Sequence, residues 1–539
     1  MPLKSRGIPK DIQVKDFILQ LPIRMKRKSS ESALHKNSKP MKIRILYALF
    51  LGLSALTLQA QPNFTFKIQV DPSQQAACLP TGRLLIHLTK QKENEPRNRS
   101  ECAIGFTTQN WNPSKEIVVK TKDKSVNVFG FQKLKIKPGE KIYYQVVYKQ
   151  NENDGQENVA GNLYSEVDSI VYGEKIQGEL RLQYLIPELK IVQHRFVKSI
   201  QIESKLLSNF FGKPKKLKAS ILLPSTYYEN PGKSFPICYR ASGLNGRWTA
   251  VNGRISNKEF MDMWFAPNAP QVIYVYLDSE GPFGDTYQVD SENNGPCGEA
   301  LIKELIPAVE KEVGYDPATK NRYLAGCSTG GWIVVALQVF YPDFFDGAWS
   351  YSPDPLEFEH YGLINIYEDE TIFYNRFGYL QPGNRNVYGE PTRSMLEWIS
   401  NENVNSRTNT YAVSGGQFGA YNAVFGPRGA NGLPTLMFDP YTGKVDKAIA
   451  KEWEKYDLKK YLAKNWASLG PKLQGKLWIW SGDCDGLFSN VSTRFFKEFI
   501  DKTTNPKSDA QISFTAMAGH CQEYSDEQVI KMIAAKTKK

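Results

Sequence analysis

Short runs of alternating apolar and polar residues dominate the chain from about residue 61 to residue 185. This period of two is typical of strands with one buried face, and polar turns separate the runs. The runs are Phe64–Val70, Arg83–Thr89, Glu116–Lys120, Lys141–Tyr148 and Glu179–Tyr184. They predict a β-sandwich over residues 61–190. Because no cluster of catalytic side chains appears there, we expect an accessory packing domain, with carbohydrate or partner binding as the alternative.

A different pattern begins after residue 186, where continuous apolar runs alternate with helix-compatible segments such as Glu299–Val313. Continuous runs are typical of parallel strands buried on both faces. The candidate strands are Phe235–Arg240, Gln271–Leu277, Arg322–Ala325, Leu477–Trp480 and Ile512–Thr515. The alternation predicts an α/β domain over residues 191–539, a mostly parallel sheet with helices on both faces. An aromatic- and glycine-rich insertion, residues 355–474, should lie above that sheet as a lid or substrate wall.

The positive charge of the chain is concentrated in its first 60 residues. Residues 1–40 carry ten Lys or Arg and three acidic residues, and Lys42 and Arg44 add two more charges, out of a net +12. The remainder has no basic stripe, so we expect no nucleic-acid partner. A short basic segment at Met41–Arg44, an apolar run at Ile45–Leu58 and the small residue Ala60 form the pattern of a signal peptide.

The leader pattern predicts a basic extension (residues 1–40) outside the mature protein and a signal peptide (residues 41–60). A retained N-terminal membrane anchor is the alternative. The mature protein is then exported, periplasmic or secreted, with no membrane span, because no later segment is long and apolar enough to cross a bilayer.

The segment Gly326-Cys-Ser-Thr-Gly330 has the G-x-S-x-G pattern and lies between a candidate strand and a helix-compatible run. In this context the serine occupies a strained turn that lifts its hydroxyl above the sheet. Glycines are needed on either side because a side chain there would collide with the neighbouring strand or helix. Ser328 is therefore the candidate nucleophile.

A serine hydroxyl needs a positioned base, and the chain has only five histidines. His35 lies in the leader, His87 in the β-region, His194 before the core strands and His360 in the insertion. His520 follows the final candidate strand, where the order Ser–Asp–His places the base. We therefore predict His520 as the general base.

The acid should follow the penultimate strand, Leu477–Trp480, and both Asp483 and Asp485 do so. Asp485 is favoured because the strand must end and turn before the carboxylate can face the histidine, while Asp483 is then expected to cap the turn. Asp354, after the strand next to the serine turn, is an outside candidate for the acid.

An acyl-transfer site also needs donors for the oxyanion. We predict the backbone N–H groups of Thr329, directly after the nucleophile, and of Leu244, in a glycine-bracketed loop after an early strand. Candidate substrate contacts are Asp290, Trp332 and Asp354. Four aromatic residues could stack against a sugar or aryl group: Trp349, Tyr351, Phe358 and Tyr361.

Seven cysteines are an odd number, so at least one is free, and export would permit disulfides. We expect Cys327 to be a small buried filler beside the nucleophile. A disulfide between Cys484 and Cys521 would join the loops that carry the acid and the base, and Cys78 with Cys102 is a further possible pair.

Several of these segments together resemble the Putative esterase (esterase D-like) family of α/β-hydrolases, in an exported bacterial branch with an N-terminal β-domain. The family resemblance rests on Ile221–Pro224, Phe235–Gly246, Gly326–Trp332 and Gly519-His520. The resemblance to the exported branch rests on Asn162–Ser165, Gly295–Leu301 and Glu304–Pro307. The resemblance implies the α/β-hydrolase fold, no metal and no cofactor. It also implies that the acid comes from a G-x-x-D turn, here Gly482-x-x-Asp485. The family's usual histidine before the oxyanion glycine is Ser242 in this chain.

The expected function is that of an exported serine carboxylic-ester hydrolase working through an acyl-enzyme. The resemblance implies a small-molecule or glycan ester as substrate, such as an acetyl or feruloyl group on a sugar, or a siderophore ester. The alternatives are an inactive glycan-binding or scaffold protein with the same fold, and an acyltransferase. A zinc site is not indicated, since neither C-x-x-C nor H-E-x-x-H occurs.

Overall fold

The computed structural model describes residues 63–173 and 175–537, all within one compact unit formed by residues 61–539. The predicted basic extension (1–40) and signal peptide (41–60) lie outside the described residues. In the part of the chain that is described, no helix has both the length and the apolar character needed to cross a bilayer.

Residues 64–185 form a nine-stranded sheet, which we call the β-domain. Its strands are β1 (Phe64–Val70), β2 (Gly82–Thr89), β3 (Cys102–Thr108), β4 (Ile117–Lys120), β5 (Val126–Phe129), β6 (Lys141–Lys149), β7 (Leu163–Ser165), β8 (Asp168–Val171) and β9 (Ile176–Leu185). The order is β4-β1-β9-β7-β6-β2-β3-β5, with β8 also paired to β6. All pairs are antiparallel except β1 with β9.

The β-domain differs from the predicted sandwich, because its strands form one continuous hydrogen-bonded sheet instead of two separate sheets. The long strand β9 pairs with β1 along one edge and with β7 along the other, and thereby joins the two halves. All five predicted runs nevertheless lie in strands.

The second sheet has eight strands in the order β10-β11-β13-β12-β16-β17-β20-β21. They are β10 (Val197–Glu203), β11 (Lys216–Leu222), β12 (Ile237–Ala241), β13 (Ile273–Leu277), β16 (Arg322–Cys327), β17 (Gly347–Tyr351), β20 (Leu477–Gly482) and β21 (Gln511–Thr515). From β13 to β21 all neighbours are parallel, whereas β10 and β11 are antiparallel to theirs. Two short hairpins are formed by β14 (Asp290–Ser291) with β15 (Gly295–Pro296), and β18 (Pro382–Arg385) with β19 (Pro391–Ser394).

Helices cover this sheet and build the insertion. The α-helices are Lys205–Phe211, Ala250–Ser256, Lys258–Trp264, Cys297–Ala300, Ile306–Val313, Thr329–Phe340, Met395–Asn405, Gln417–Phe425, Lys447–Glu452, Leu458–Leu473, Ser489–Asp501 and Asp526–Thr537, and Leu301–Leu305 is a π-helical turn. The helix Thr329–Phe340 is almost wholly buried, which agrees with its apolar sequence. Strand order and helix placement are those of an α/β-hydrolase sheet.

The predicted insertion, residues 355–474, consists of two structural parts. Its final helix, Leu458–Leu473, packs against the helix Thr329–Phe340 and leads into β20, so it belongs to the helix layer of the sheet. The remaining part contains the β18–β19 hairpin and the helices Met395–Asn405 and Gln417–Phe425.

The β-domain packs directly against this insertion. Strand β2 is buried on both faces, because Leu84 and Ile86 lie in the core of the β-domain while Leu85 packs against Val404. The fully buried Arg83 donates from Nη2 to the Val404 carbonyl at 2.7 Å. Lys149 donates to the Ser414 carbonyl at 2.7 Å, and burial lowers the pKa of Lys149 to about 8. These contacts join the β-domain and the insertion through buried polar groups.

Candidate active site

Ser328 occupies a tight turn between β16 and the helix Thr329–Phe340, with φ of 61° and ψ of −129°. A non-glycine residue in this region is strained. A Cβ on Gly330 would lie 2.2 Å from the Ala241 carbonyl oxygen, and one on Gly326 would lie 2.3 Å from the Gly330 carbonyl oxygen. Both glycines are therefore required by close backbone packing, as the G-x-S-x-G pattern indicates.

His520 and Asp485 are hydrogen-bonded to each other, with 2.8 Å between Nδ1 and Oδ2. Asp485 is fully buried, and its Oδ1 accepts the Leu487 N–H at 2.8 Å. Because a carboxylate only accepts, the neutral imidazole carries its proton on Nδ1 and leaves a lone pair on Nε2. That Nε2 atom is buried, and within residues 63–173 and 175–537 it has no hydrogen-bond partner. The imidazole is thus oriented by Asp485 and free to take a proton at Nε2.

The charge state of His520 depends on opposing effects. Burial lowers the pKa of His520, but the hydrogen bond and charge of Asp485, together with the charge of Asp354, outweigh it and raise the pKa above the ordinary 6.5. The arrangement suits a base that must accept a proton and hold it as an imidazolium next to a carboxylate.

A disulfide joins Cys327, directly before Ser328, to Cys521, directly after His520, with 6.1 Å between their Cα atoms. The expectations that Cys327 is a filler and that Cys484 pairs with Cys521 are therefore wrong. Cys484 Sγ instead lies 4.0 Å from Met517 Sδ. The pairing depends on the approach of the loop after β21 to the end of β16, which local sequence does not show. The disulfide ties the nucleophile and base segments together.

The three candidate acids have different partners. Only Asp485 contacts the imidazole, while Asp483 accepts from Arg494. Asp354 accepts from the Thr329 hydroxyl at 2.8 Å and from the Tyr287 hydroxyl at 2.7 Å. Burial raises the pKa of Asp354 despite these hydrogen bonds. Asp354 therefore lies beside the nucleophile turn, but its side chain is bonded to hydroxyl groups and not to the imidazole.

The loop after β12, residues 242–247, passes next to the nucleophile. A Cβ on Gly243 would lie 3.8 Å from Ser328 Cβ. Leu244 follows in this loop, and Thr329 is the first residue of its helix, where a backbone N–H has no intrahelical partner. Thr329 thus directly follows Ser328 in the chain, and Leu244 directly follows Gly243, which approaches Ser328 in space. Ser242 Oγ accepts from Arg240 Nη1 at 2.5 Å.

Two predicted substrate contacts lie elsewhere. Trp332 is fully buried and packs edge-on against Tyr287, so it contributes to the core and the prediction is wrong. The Trp332 ring is enclosed by the rings of Tyr287 and Phe425, which keep it from solvent. Asp290 lies in the β14–β15 hairpin, where its Oδ1 accepts the Glu299 N–H at 2.9 Å and starts the following helix. Its side chain is thus engaged in a local hydrogen bond to the helix Cys297–Ala300, and its predicted contact with substrate stays a prediction.

A small cleft, open to solvent, lies beside Asp354. Its wall comes mainly from the insertion and from the loop after Asp485, and it is lined by Tyr361, Trp398, Phe418, Tyr421 and Phe488 among others. Of the four aromatic candidates, only Tyr361 lines this cleft. The other three pack internally: Phe358 is fully buried, Trp349 stacks on Trp478, and Tyr351 lies against Trp480.

The β18–β19 hairpin contributes residues that the sequence did not reveal. Arg385 Nε donates to the Asp485 carbonyl at 2.9 Å, and Arg385 Nη2 donates to the Asp483 carbonyl at 3.1 Å. A Cβ on Gly519 would lie 3.4 Å from Val387 Cγ1. The hairpin is therefore hydrogen-bonded to the loop that contains Asp485 and lies against the loop that contains His520. No local signal marks Arg385, because its partners are about a hundred residues further along the chain.

One family model and several solved structures are similar to this chain. The family described as Putative esterase matches residues 212–529. A solved ferulic acid esterase is 15% identical, with a TM-score of 0.40, over 64% of this chain and 97% of its own. An S-formylglutathione hydrolase from Agrobacterium tumefaciens is 12% identical, with a TM-score of 0.34, over 64% and 95%.

A ferulic acid esterase from Anaeromyces mucronatus is 13% identical, with a TM-score of 0.31, over 64% of this chain and 91% of its own. No curated protein matches the chain. Because the family match covers more than half of the sequence and contains the serine turn, the buried aspartate and the histidine bonded to it, this chain belongs to the Putative esterase family and is a carboxylic ester hydrolase.

Proposed function

We propose that Ser328, His520 and Asp485 carry out ester hydrolysis through an acyl-enzyme. His520 Nε2 takes the Ser328 hydroxyl proton as the oxygen attacks the ester carbonyl, and then gives it to the departing alcohol. The same Nε2 then takes a proton from a water molecule as the water oxygen attacks the acyl-enzyme. Nε2 returns this proton to Ser328 Oγ as the ester bond to the serine breaks and the carboxylic acid leaves. The observation that carries the proposal is the hydrogen bond from His520 to the fully buried Asp485, which leaves His520 Nε2 without a hydrogen-bond partner among the described residues.

The negative charge that develops on the carbonyl oxygen needs fixed donors. We assign the backbone N–H groups of Thr329 and Leu244 to this task. Support comes from the position of Thr329 in the first turn of its helix, whose dipole favours an anion, and from the approach of Gly243 to Ser328.

The substrate is proposed to be an ester whose acyl or alcohol part is aromatic or sugar-like, including acetyl or feruloyl groups on carbohydrate and siderophore esters. Support comes from the aromatic cleft beside Asp354 and from exposed aromatic side chains near the β18–β19 hairpin. The latter are Phe377, Tyr379 and Tyr388, which are 70%, 72% and 81% exposed. Exposed aromatic rings are suited to stacking against a flat ligand face.

Export is proposed on two grounds. The leader pattern of residues 41–60 predicts a signal peptide, and the Cys327–Cys521 disulfide is of a kind that persists in oxidising compartments. The intact mass of the protein recovered from the periplasm or medium should correspond to a chain starting near residue 61 and lacking two hydrogen atoms. A full-length, fully reduced mass would contradict export.

Ser328→Ala should lower the hydrolysis of 4-nitrophenyl acetate by at least about 10³-fold and abolish labelling by a fluorophosphonate, because the nucleophile is lost. The exposed Ser468→Ala serves as the control and should match the wild type. A panel of sugar acetates, feruloyl esters and a triscatecholate siderophore, assayed in parallel, identifies the substrate class. Unchanged hydrolysis by Ser328→Ala would exclude this mechanism and favour a non-catalytic glycan-binding protein.

The pH profile of kcat/KM should rise through a midpoint above 6.5, because only neutral His520 acts as the base and its pKa is raised. Asp485→Asn removes the hydrogen-bonded charge, so the midpoint should fall to lower pH while kcat falls by about 10³–10⁴-fold. Asp354→Asn removes a charge that acts less strongly on His520, so the midpoint should also fall, but by less than in Asp485→Asn. A shift to higher pH in either variant would contradict this electrostatic account.

The double variant Cys327→Ala/Cys521→Ala should lower the free energy of unfolding by about 2–4 kcal/mol, since the bridge closes a long loop. It should also lower kcat by about tenfold, because the base loop is no longer tied to the nucleophile turn. Urea unfolding and steady-state kinetics measure the two effects. Cys484→Ala is the matched control and should change neither, and equal behaviour of the two variants would count against the assigned role.

A further inference from the structure

The segment of the β-domain that contains residues 151–158, here called the 151–158 loop, reaches the loop after β12. Arg247 Nη2 donates to both carboxylate oxygens of Asp154, at 2.9 and 2.8 Å. Asp154 is only 5% exposed, so the pair is largely shielded from water. Shielded, doubly hydrogen-bonded Arg–carboxylate pairs restrict orientation more strongly than surface ion pairs. A β-domain residue thus holds one end of the loop that passes beside Ser328.

Backbone contacts reinforce this junction. Gly155 N donates to the Gly281 carbonyl at 2.9 Å, and a Cβ on Gly155 would lie 2.6 Å from Gly284 N. The Gly415 carbonyl of the insertion accepts from Asn245 Nδ2 at 3.2 Å and also from Gln156 Nε2. The 151–158 loop, the insertion and the β12 loop therefore meet at one shared acceptor.

The other contacts of the β12 loop come from the hydrolase domain itself. Asn245, with φ of 59°, donates its backbone N–H to Asp285 Oδ2 at 2.7 Å. The Gly246 carbonyl accepts the Ser279 N–H at 2.9 Å. These bonds fix the middle of the loop, and Arg247–Asp154 fixes its end.

The 151–158 loop is itself firmly attached to the β-domain sheet. Asn162 Nδ2 donates to the Gln156 and Glu157 carbonyls at 3.2 and 2.8 Å. His87 Nε2 is paired with Glu157, and its Nδ1 lies 3.0 Å from Ser100 Oγ. Asp154 is consequently presented from a rigid base and not from a free loop.

We propose that Asp154 is a positioning residue for the reaction. Through Arg247 it holds the β12 loop so that the Leu244 N–H is directed at the developing oxyanion, and the β-domain is thereby part of the catalytic apparatus. This inference rests on the proposed serine ester hydrolysis. Oxyanion donors must be held within about 0.5 Å of the productive position. Without Asp154, Arg247 would be drawn towards its other nearby carboxylates, Asp278, Asp285 and Glu280, and would pull the loop with it.

The test compares Asp154→Asn, which keeps the side-chain size, with Asp71→Asn, which alters the exposed ion pair of Asp71 with Arg181 in the same domain. Active sites are counted by stoichiometric fluorophosphonate labelling, so that kcat refers to folded, reactive enzyme. Asp154→Asn should lower kcat for 4-nitrophenyl acetate by about 10–100-fold with KM little changed, because only transition-state stabilisation is weakened. Asp71→Asn should retain the wild-type kcat.

Two further single variants and one double variant distinguish the loss of this contact from misfolding. Arg247→Lys keeps the charge but cannot reproduce the Arg geometry, and it should lower kcat in the same way. Asp154→Glu keeps the carboxylate and should recover part of the loss seen in Asp154→Asn. The double variant Asp154→Asn/Arg247→Lys should lose less than the product of the single losses, since both act through one contact.

An unchanged kcat per labelled site in Asp154→Asn and Arg247→Lys, or an effect on KM alone, would overturn this inference while leaving the ester hydrolase intact. Independent, multiplicative losses in the double variant would also overturn it. Wild-type hydrolysis that persists in Ser328→Ala would overturn the proposed function and this inference with it.

Discussion

The close packing of the turn at Ser328 against β12 is the constraint on which the site depends. The backbone of Gly330 approaches the Ala241 carbonyl so closely that no side chain fits, and Ser328 is left with a positive φ. This strained turn raises the hydroxyl above the sheet and begins the buried helix behind it. The disulfide from Cys327 to Cys521 then ties the histidine loop to the same turn. Ser328, the start of the helix Thr329–Phe340 and the segment of His520 are therefore held together by the turn and the disulfide.

Two buried carboxylates near that centre are distinguished by their partners. Asp485 is bonded to the imidazole and to backbone N–H groups, whereas Asp354 is bonded to the hydroxyl groups of Tyr287 and Thr329. Both charges favour protonated His520, but only Asp485 orients the ring. The pKa of His520 is therefore raised by one direct contact, Asp485, and one electrostatic neighbour, Asp354. Both charges act strongly because the carboxylates are buried and water screens them little.

The β-domain is structurally continuous with the hydrolase part. Arg83 and Lys149 donate to carbonyls of the insertion, and Asp154 pairs with Arg247 beside the nucleophile. Each of these groups is buried and would lose its partner if the domain moved away, at a cost of about 1–3 kcal/mol per unsatisfied group. An accessory module joined by a linker would not place charged side chains in this way. The contacts between the β-domain and the hydrolase part therefore extend to the loop that passes beside Ser328.

Many of the strands and the candidate site residues could be predicted from the sequence alone. Period-two runs, buried strands and the glycine-bracketed Ser328 each depend on residues close together in the chain. The candidates Asp485 and His520 follow from the chain order of the late strands and from the scarcity of histidines. Contacts between distant segments were decided by the tertiary structure: the partner of Cys327, the burial of Trp332, and the Asp154–Arg247 pair. Their signals are absent locally, because they arise only when separate strands and loops pack against one another.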